Sequence, residues 1–128
     1  MKEEEEDDDI NTKTIKVVLV GESGVGKTCI ISRFITNQFN CEEPSTDYAS
    51  FATKTLSFND NKKKIKFDIW DTAGQEMYRS IGKIFYNDAK VVILVYDISS
   101  KKSFIELKDY WYKTIKENAS SIKNKFLF

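Results

Sequence analysis

Apolar and polar positions alternate along this chain in two rhythms. Thr14 to Val20 is rich in β-branched residues and stops at Gly21, which reads as a strand. Lys27 to Phe39 follows, with Ile30, Ile31, Phe34 and Ile35 grouped on one side, and predicts a helix. Asn40 to Thr46 is a polar connection that holds the only proline, Pro44. Phe51 to Phe58 and Ile65 to Trp70 read as two strands around the turn-forming cluster Asn59-Asp60-Asn61, hence a hairpin. Val91 to Tyr96 is apolar throughout, as in a strand covered on both faces. Phe104, Leu107, Trp111 and Ile115 recur at helical spacing and predict a helix packed on the sheet. Strands alternating with helices imply an α/β fold with a mostly parallel sheet. No internal repeat and no linker rich in Gly, Pro or Ser interrupts the pattern.

Charge changes this picture at one end. Basic and acidic residues balance at 20 each, but seven of the acids, Glu3 to Glu6 and Asp7 to Asp9, sit in the first nine residues with one base, Lys2. The remainder carries 19 basic against 13 acidic residues. A block of like charge repels itself and buries no apolar area, so residues 1–13 are expected to form an acidic disordered tail with a solubilising role. The 128 residues amount to about one domain.

The two cysteines, Cys29 and Cys41, have no metal-binding spacing, and the chain has no histidine. That usage fits a reduced intracellular protein. An acidic N-terminus excludes a secretory signal, and the run Val91 to Tyr96 is far too short to span a bilayer. Lys2 follows Met1, which excludes N-myristoylation, and the last four residues hold no cysteine for prenylation. The expectation is a cytoplasmic chain without a membrane anchor of its own and without a nucleic-acid partner.

Candidate chemistry begins where the first strand ends. Gly21-Glu22-Ser23-Gly24-Val25-Gly26-Lys27-Thr28 matches the phosphate-binding pattern G-x-x-x-x-G-K-[ST]. The glycines let the backbone curl so that successive N–H groups face phosphate oxygens. The helix that follows adds its positive end. Lys27 supplies a point charge to the outer phosphates, and Thr28 offers a hydroxyl to Mg²⁺. A chance match in a chain of this length has odds of roughly one in two hundred. The loop implies a nucleoside triphosphate and does not distinguish ATP from GTP. A second motif, Trp70-Asp71-Thr72-Ala73-Gly74-Gln75-Glu76, closes a predicted strand. Alone, Asp71 would read as a helix N-cap. With the phosphate loop upstream it reads as an acid that supports Mg²⁺, directly or through water. Gly74 then permits close approach to a terminal phosphate, and Gln75 is the amide that orients an attacking water.

Taken together, GESGVGKT, WDTAGQE and VVILVYDIS resemble the Rab branch of the small GTPases, in family order and near family spacing, from Ile15 to about Phe128. The resemblance implies a P-loop NTPase fold, a doubly wound, mostly parallel sheet with one antiparallel edge hairpin. It implies a switch that binds GTP or GDP with Mg²⁺, hydrolyses GTP and acts in vesicle and membrane traffic. Exchange factors, GTPase-activating proteins and effectors would meet it through the switch regions, at the cytoplasmic face of endomembranes in any longer lipidated form.

Residue by residue, the resemblance makes Gly21 and Ser23, Gly24, Val25, Gly26, Lys27, Thr28 and Cys29 the phosphate lining. It puts Thr28, Thr46 and Asp71 at Mg²⁺ and Gly74 at the γ-phosphate, with Gln75 and Lys27 as catalytic residues. Phe39 falls where the family lays an aromatic across the guanine ring; core packing is the other reading. Thr46 falls at the threonine of the first switch; a solvent-facing loop hydroxyl is the other reading. The family continues Thr-Ile-Gly where this chain has Thr46-Asp47-Tyr48, which bears on partner identity.

Residues 14–128 are expected to match the N-terminal two-thirds of a small GTPase domain, with the C-terminal part missing. The base-reading Asn-Lys-x-Asp motif is not among these 128 residues: Asn124-Lys125 precedes the apolar run instead of following it. The alternative reading is therefore a truncated module that binds nucleotide or regulators without turnover.

Overall fold

A computed structural model of the chain describes residues 12–39, 50–72, 86–118 and 126–127. Five strands form one sheet in the order β2-β3-β1-β4-β5. They are β1 (Thr12–Val20), β2 (Ser50–Phe58), β3 (Lys63–Asp71), β4 (Val91–Leu94) and β5 (Phe126–Leu127). β1 lies at the centre, parallel to β3 on one side and to β4 on the other. β5 extends the parallel run from β4. Only β2 is antiparallel, joined to β3 as the edge hairpin. This is the doubly wound, mostly parallel P-loop NTPase sheet that the alternation of strands and helices implies.

The central strand shows why its apolar run is continuous. Successive side chains point to opposite faces, and both faces of β1 are covered. Val17 and Leu19 pack with Ile69, Val95 and Ile31 on one face, under α1 (Lys27–Thr36). Val18 and Val20 pack with Tyr86, Ala89, Val92, Leu94, Leu107, Trp111 and Ile115 on the other. At the N-terminal end β1 starts earlier than expected. Thr12 and Lys13, assigned to the tail, pair with Lys64 and Ile65 of β3 because the hairpin offers partners that far down.

Local chemistry sets the element ends. The hairpin turns through Asn59, Asp60 and Asn61 at φ 52, 55 and 68°, with the Lys62 N–H donating to Asn59 O at 3.1 Å. Asn and Asp tolerate this left-handed region better than other side chains that carry a Cβ. α1 stops at Thr36, short of the expected Phe39. Asn37 adopts φ 59° and donates its N–H to Arg33 O at 2.9 Å, which closes the helix. β4 also ends early. Val95 still donates to Val20 O at 2.9 Å, but Tyr96 turns outward and the chain enters a turn at Asp97.

The last helix corrects one expectation. α2 (Lys101–Glu106) runs through a π-helical turn (Leu107–Trp111) into α3 (Tyr112–Asn118). Leu107, Trp111 and Ile115 are buried as expected, but Phe104 is 47% exposed and meets Tyr96 edge to face, with ring centroids 5.2 Å apart. The buried stripe is Ser103, Leu107, Trp111 and Ile115, a strict four-residue repeat. Such a repeat drifts by about 40° per step in a helix of 3.6 residues per turn. A wider π turn rotates the other way and holds the stripe on one face.

That register is testable by denaturant unfolding. Leu107→Ala is expected to cost about 2–5 kcal/mol. Phe104→Ala is expected to cost at most about 1.5 kcal/mol, the worth of an aromatic pair. Equal costs would show that Phe104 shares the buried stripe.

Candidate nucleotide-binding site

The loop between β1 and α1 leaves the sheet at the C-terminal ends of its parallel strands. Gly21 is the tightest point. A Cβ there would meet Val95 O, main chain just past the end of β4, at 2.2 Å, and its φ is 151°. Only glycine lets the loop pass so close over β4. Gly24 and Gly26 are different in kind: they take φ 81 and 104° with nothing within 4 Å of an added Cβ. They turn the chain in open space, with Ser23 and Gly24 exposed at the tip, and Gly26 delivers it into α1, whose first bond runs from Ile30 N–H to Gly26 O at 2.9 Å. Val25 anchors the loop by packing against the α1 face of the sheet.

Lys27 sits beneath this loop at 5% exposure. Its ammonium donates to Gly21 O at 2.9 Å and Glu22 O at 2.8 Å, so two of its three donors hold the loop's own carbonyls. Burial pushes its pKa below the usual lysine value, while the carboxylates of Asp71 and Glu22 act in the opposite sense. One turn into the site, the Thr28 hydroxyl donates to Asp71 Oδ2 at 2.5 Å. A hydroxyl from α1 and a buried carboxylate from β3 thus meet at the lip of the sheet. These are hard oxygen donors, few in number, the set that suits Mg²⁺ shared with a phosphate ligand. Cys29 is half-buried on the same first helical turn.

Thr72 and the segment after β4 complete the rim. Thr72 is 4% exposed, and its hydroxyl donates to Leu19 O at 2.9 Å, which ties the start of the second motif to the central strand. Beyond β4, the Ser99 N–H and hydroxyl both donate to Asp97 Oδ1, at 2.8 and 2.7 Å, and these bonds hold the Asp97 carboxyl below its ordinary pKa. Ser103 is buried; its hydroxyl donates to Ser100 O at 2.7 Å and accepts from the Asp97 N–H at 3.0 Å. This clasp faces the phosphate loop across a cleft of about 220 Å³, lined by Glu22 to Val25 on one side and Asp97, Ser100, Lys102 and Ser103 on the other. Sequence reasoning assigned no role to Asp97, Ser100 or Ser103. Their signal was present as an Asx-type turn followed by a serine N-cap.

The structure brings together Gly21, Ser23, Gly24, Val25, Gly26, Lys27, Thr28, Cys29 and Asp71. Phe39 is 65% exposed at the end of the described segment. Thr46, Gly74 and Gln75 lie outside the described residues.

A strand, a glycine loop over a parallel sheet, a buried lysine and a Thr–Asp pair together have the form of a phosphate-binding loop. The comparisons with known proteins agree. The family model described as "Ras family" matches residues 16–127. Ras-related protein Rab-13 of Bos taurus is 47% identical over 106 residues, 83% of this chain and 51% of that protein. Ras-related protein SEC4 of Saccharomyces cerevisiae (strain ATCC 204508 / S288c) is 42% identical over 106 residues, 83% of this chain and 48% of the relative. Ras-related protein Rab-8B of Homo sapiens is 46% identical over the same length. The chain belongs to the Ras family and is Rab-like, and it spans about half the length of these relatives.

The two kinds of glycine give an expectation for variants. Gly24→Ala is expected to cost about 1–2 kcal/mol, the price of a left-handed residue. Gly21→Ala is expected to cost more, because Val95 O must also move. Urea midpoints compare them, and a Gly21→Ala variant as stable as Gly24→Ala would contradict the close approach.

Proposed function

We propose that this chain binds guanine nucleotide with Mg²⁺ and hydrolyses GTP, serving as a Rab-type switch in vesicle traffic. The observation that carries the reading is the buried Lys27, bonded to its own loop beside the Thr28–Asp71 pair. A phosphate chain laid in the loop would take the third ammonium donor and the curled N–H groups. Thr28 and Asp71 would hold Mg²⁺, which supplies charge neutralisation when bound. Thr46 would join them in the triphosphate state. Guanine is the base favoured by the family of the chain, and the exposed Phe39 is available to stack on it.

Hydrolysis on this reading is mostly positioning and electrostatics. Lys27 and the loop amides stabilise charge on the transferring group, and Gln75 orients water while Gly74 allows approach. A partner's arginine typically adds roughly 10³ to 10⁵ in rate. Partners would meet the switch segments and the aromatic pair next to them in the chain, where Phe51 stays 52% exposed and meets Trp70 edge to face, with ring centroids 5.1 Å apart. Asp47 and Tyr48 would bias which partners bind, because an added charge penalises those without a basic complement. No helix of the described residues is long and apolar enough to cross a membrane.

Gln75→Leu separates binding from turnover. It is expected to keep nucleotide affinity and slow single-turnover GTP hydrolysis by about ten- to a hundredfold, the size of a positioning loss. Equal hydrolysis in the two chains would remove Gln75 from the mechanism. Binding without hydrolysis in the unaltered chain would favour a non-hydrolysing module.

A further inference from the structure

The sheet has a second charged end, opposite the phosphate loop. The register Thr12↔Lys64 sets the first residue of β1 beside the turn end of the β2–β3 hairpin. Lys13, Lys62 and Lys63 are exposed there. Lys13 pairs with Ile65 and so shares its face of the sheet with Lys63, while Lys64 and Lys66 alternate to the opposite face. Among the described residues, Asp60 in the turn is the acid next to these three lysines, and Asp68, 3.8 Å from Lys66, and Asp88, which acts on Lys16, belong to the opposite face. Asp9, the last of seven acids in a row, is three residues from Thr12 in the chain.

We propose that the acidic segment, residues 3–9, docks on the lysine cluster formed by Lys13, Lys62 and Lys63. Three residues of extended chain span only about 10 Å, close to the Debye length of about 8–10 Å at ordinary salt. The nearest acids therefore act on the lysines with little screening. The short tether keeps the seven carboxylates at a local concentration in the millimolar range or above. A single exposed ion pair contributes little, but here a block of one sign meets a surface of the other. The phosphate loop lies at the far end of β1, about 30 Å away at 3.3 Å per residue, so the acids next to Thr12 meet the lysines first. The occupant of this basic surface is then the chain's own N-terminal segment, which closes the hairpin end to other polyanions. This inference is independent of nucleotide binding.

Lysine acetylation by an amine-reactive ester, read by mass spectrometry, tests it. The unaltered chain is compared with a full-length variant in which Glu3 to Glu6 become Gln and Asp7 to Asp9 become Asn. Lys101 and Lys113, exposed on the last helix, serve as internal references. At low salt, Lys13, Lys62 and Lys63 of the unaltered chain are expected to react about threefold more slowly than in the variant, the size that screened surface pairs give. The references should not change, and the difference should close near 0.5 M salt, where screening shortens to a few ångströms. Equal rates at Lys62 and Lys63 in the two chains at low salt would overturn the proposal. So would an equal slowing of Lys101 and Lys113, because it would place the acids elsewhere.

Discussion

The buried ammonium of Lys27 constrains everything around it. A lysine at 5% exposure is tolerable only when its donors find acceptors. Here the acceptors are the carbonyls of Gly21 and Glu22, turned inward by the loop. For those carbonyls to point in, the loop must pass tightly over the sheet, and so a glycine must stand against Val95 O. Cation, curled backbone and helix start then present positive potential at one spot, which an anion satisfies. The Thr28–Asp71 pair beside it tempers the same charge from the strand side.

Parallel topology explains why these groups meet. β1, β3 and β4 run in the same direction, so Gly21, Asp71 and Asp97, far apart in sequence, leave the sheet at one edge. Ligands of open α/β sheets bind at such carboxyl ends. The opposite edge collects lysines from the hairpin and from the start of β1 instead. The sheet is thus polar in its charge, with the glycine loop and its buried lysine at one end and exposed lysines at the other. The serine clasp at Asp97 to Ser103 belongs to the first end. It fixes the exit from β4 where that exit faces the loop.

Much of this was legible in the residues. The phosphate loop and the strand before it were fixed by type and spacing, because each glycine and the lysine answer a local physical need. The continuous apolar run from Val91 announced a strand covered on both sides, and both covers are present: Val92 and Leu94 pack on one face, Val91, Ile93 and Val95 on the other. Element ends were less legible. Asn37 closes α1 by adopting a left-handed conformation that periodicity does not register, and Tyr96 leaves β4 although it extends an apolar run. Phe104 fits the helical spacing but loses its place to Ser103, since a π turn changes the rotation per residue. The clasp escaped notice because serine and aspartate are ordinary turn residues until the fold sets them opposite the loop.

On the proposed function, nucleotide binding depends on the anion site formed by Lys27 and its loop. Titration of a fluorescent guanine nucleotide, with Mg²⁺ present, onto the unaltered chain and onto Lys27→Ala tests it directly. Loss of one charge-assisted contact of roughly 1.5–3 kcal/mol should weaken binding by about one to two decades. An unchanged affinity in the Lys27→Ala chain, still folded by circular dichroism, would contradict the account.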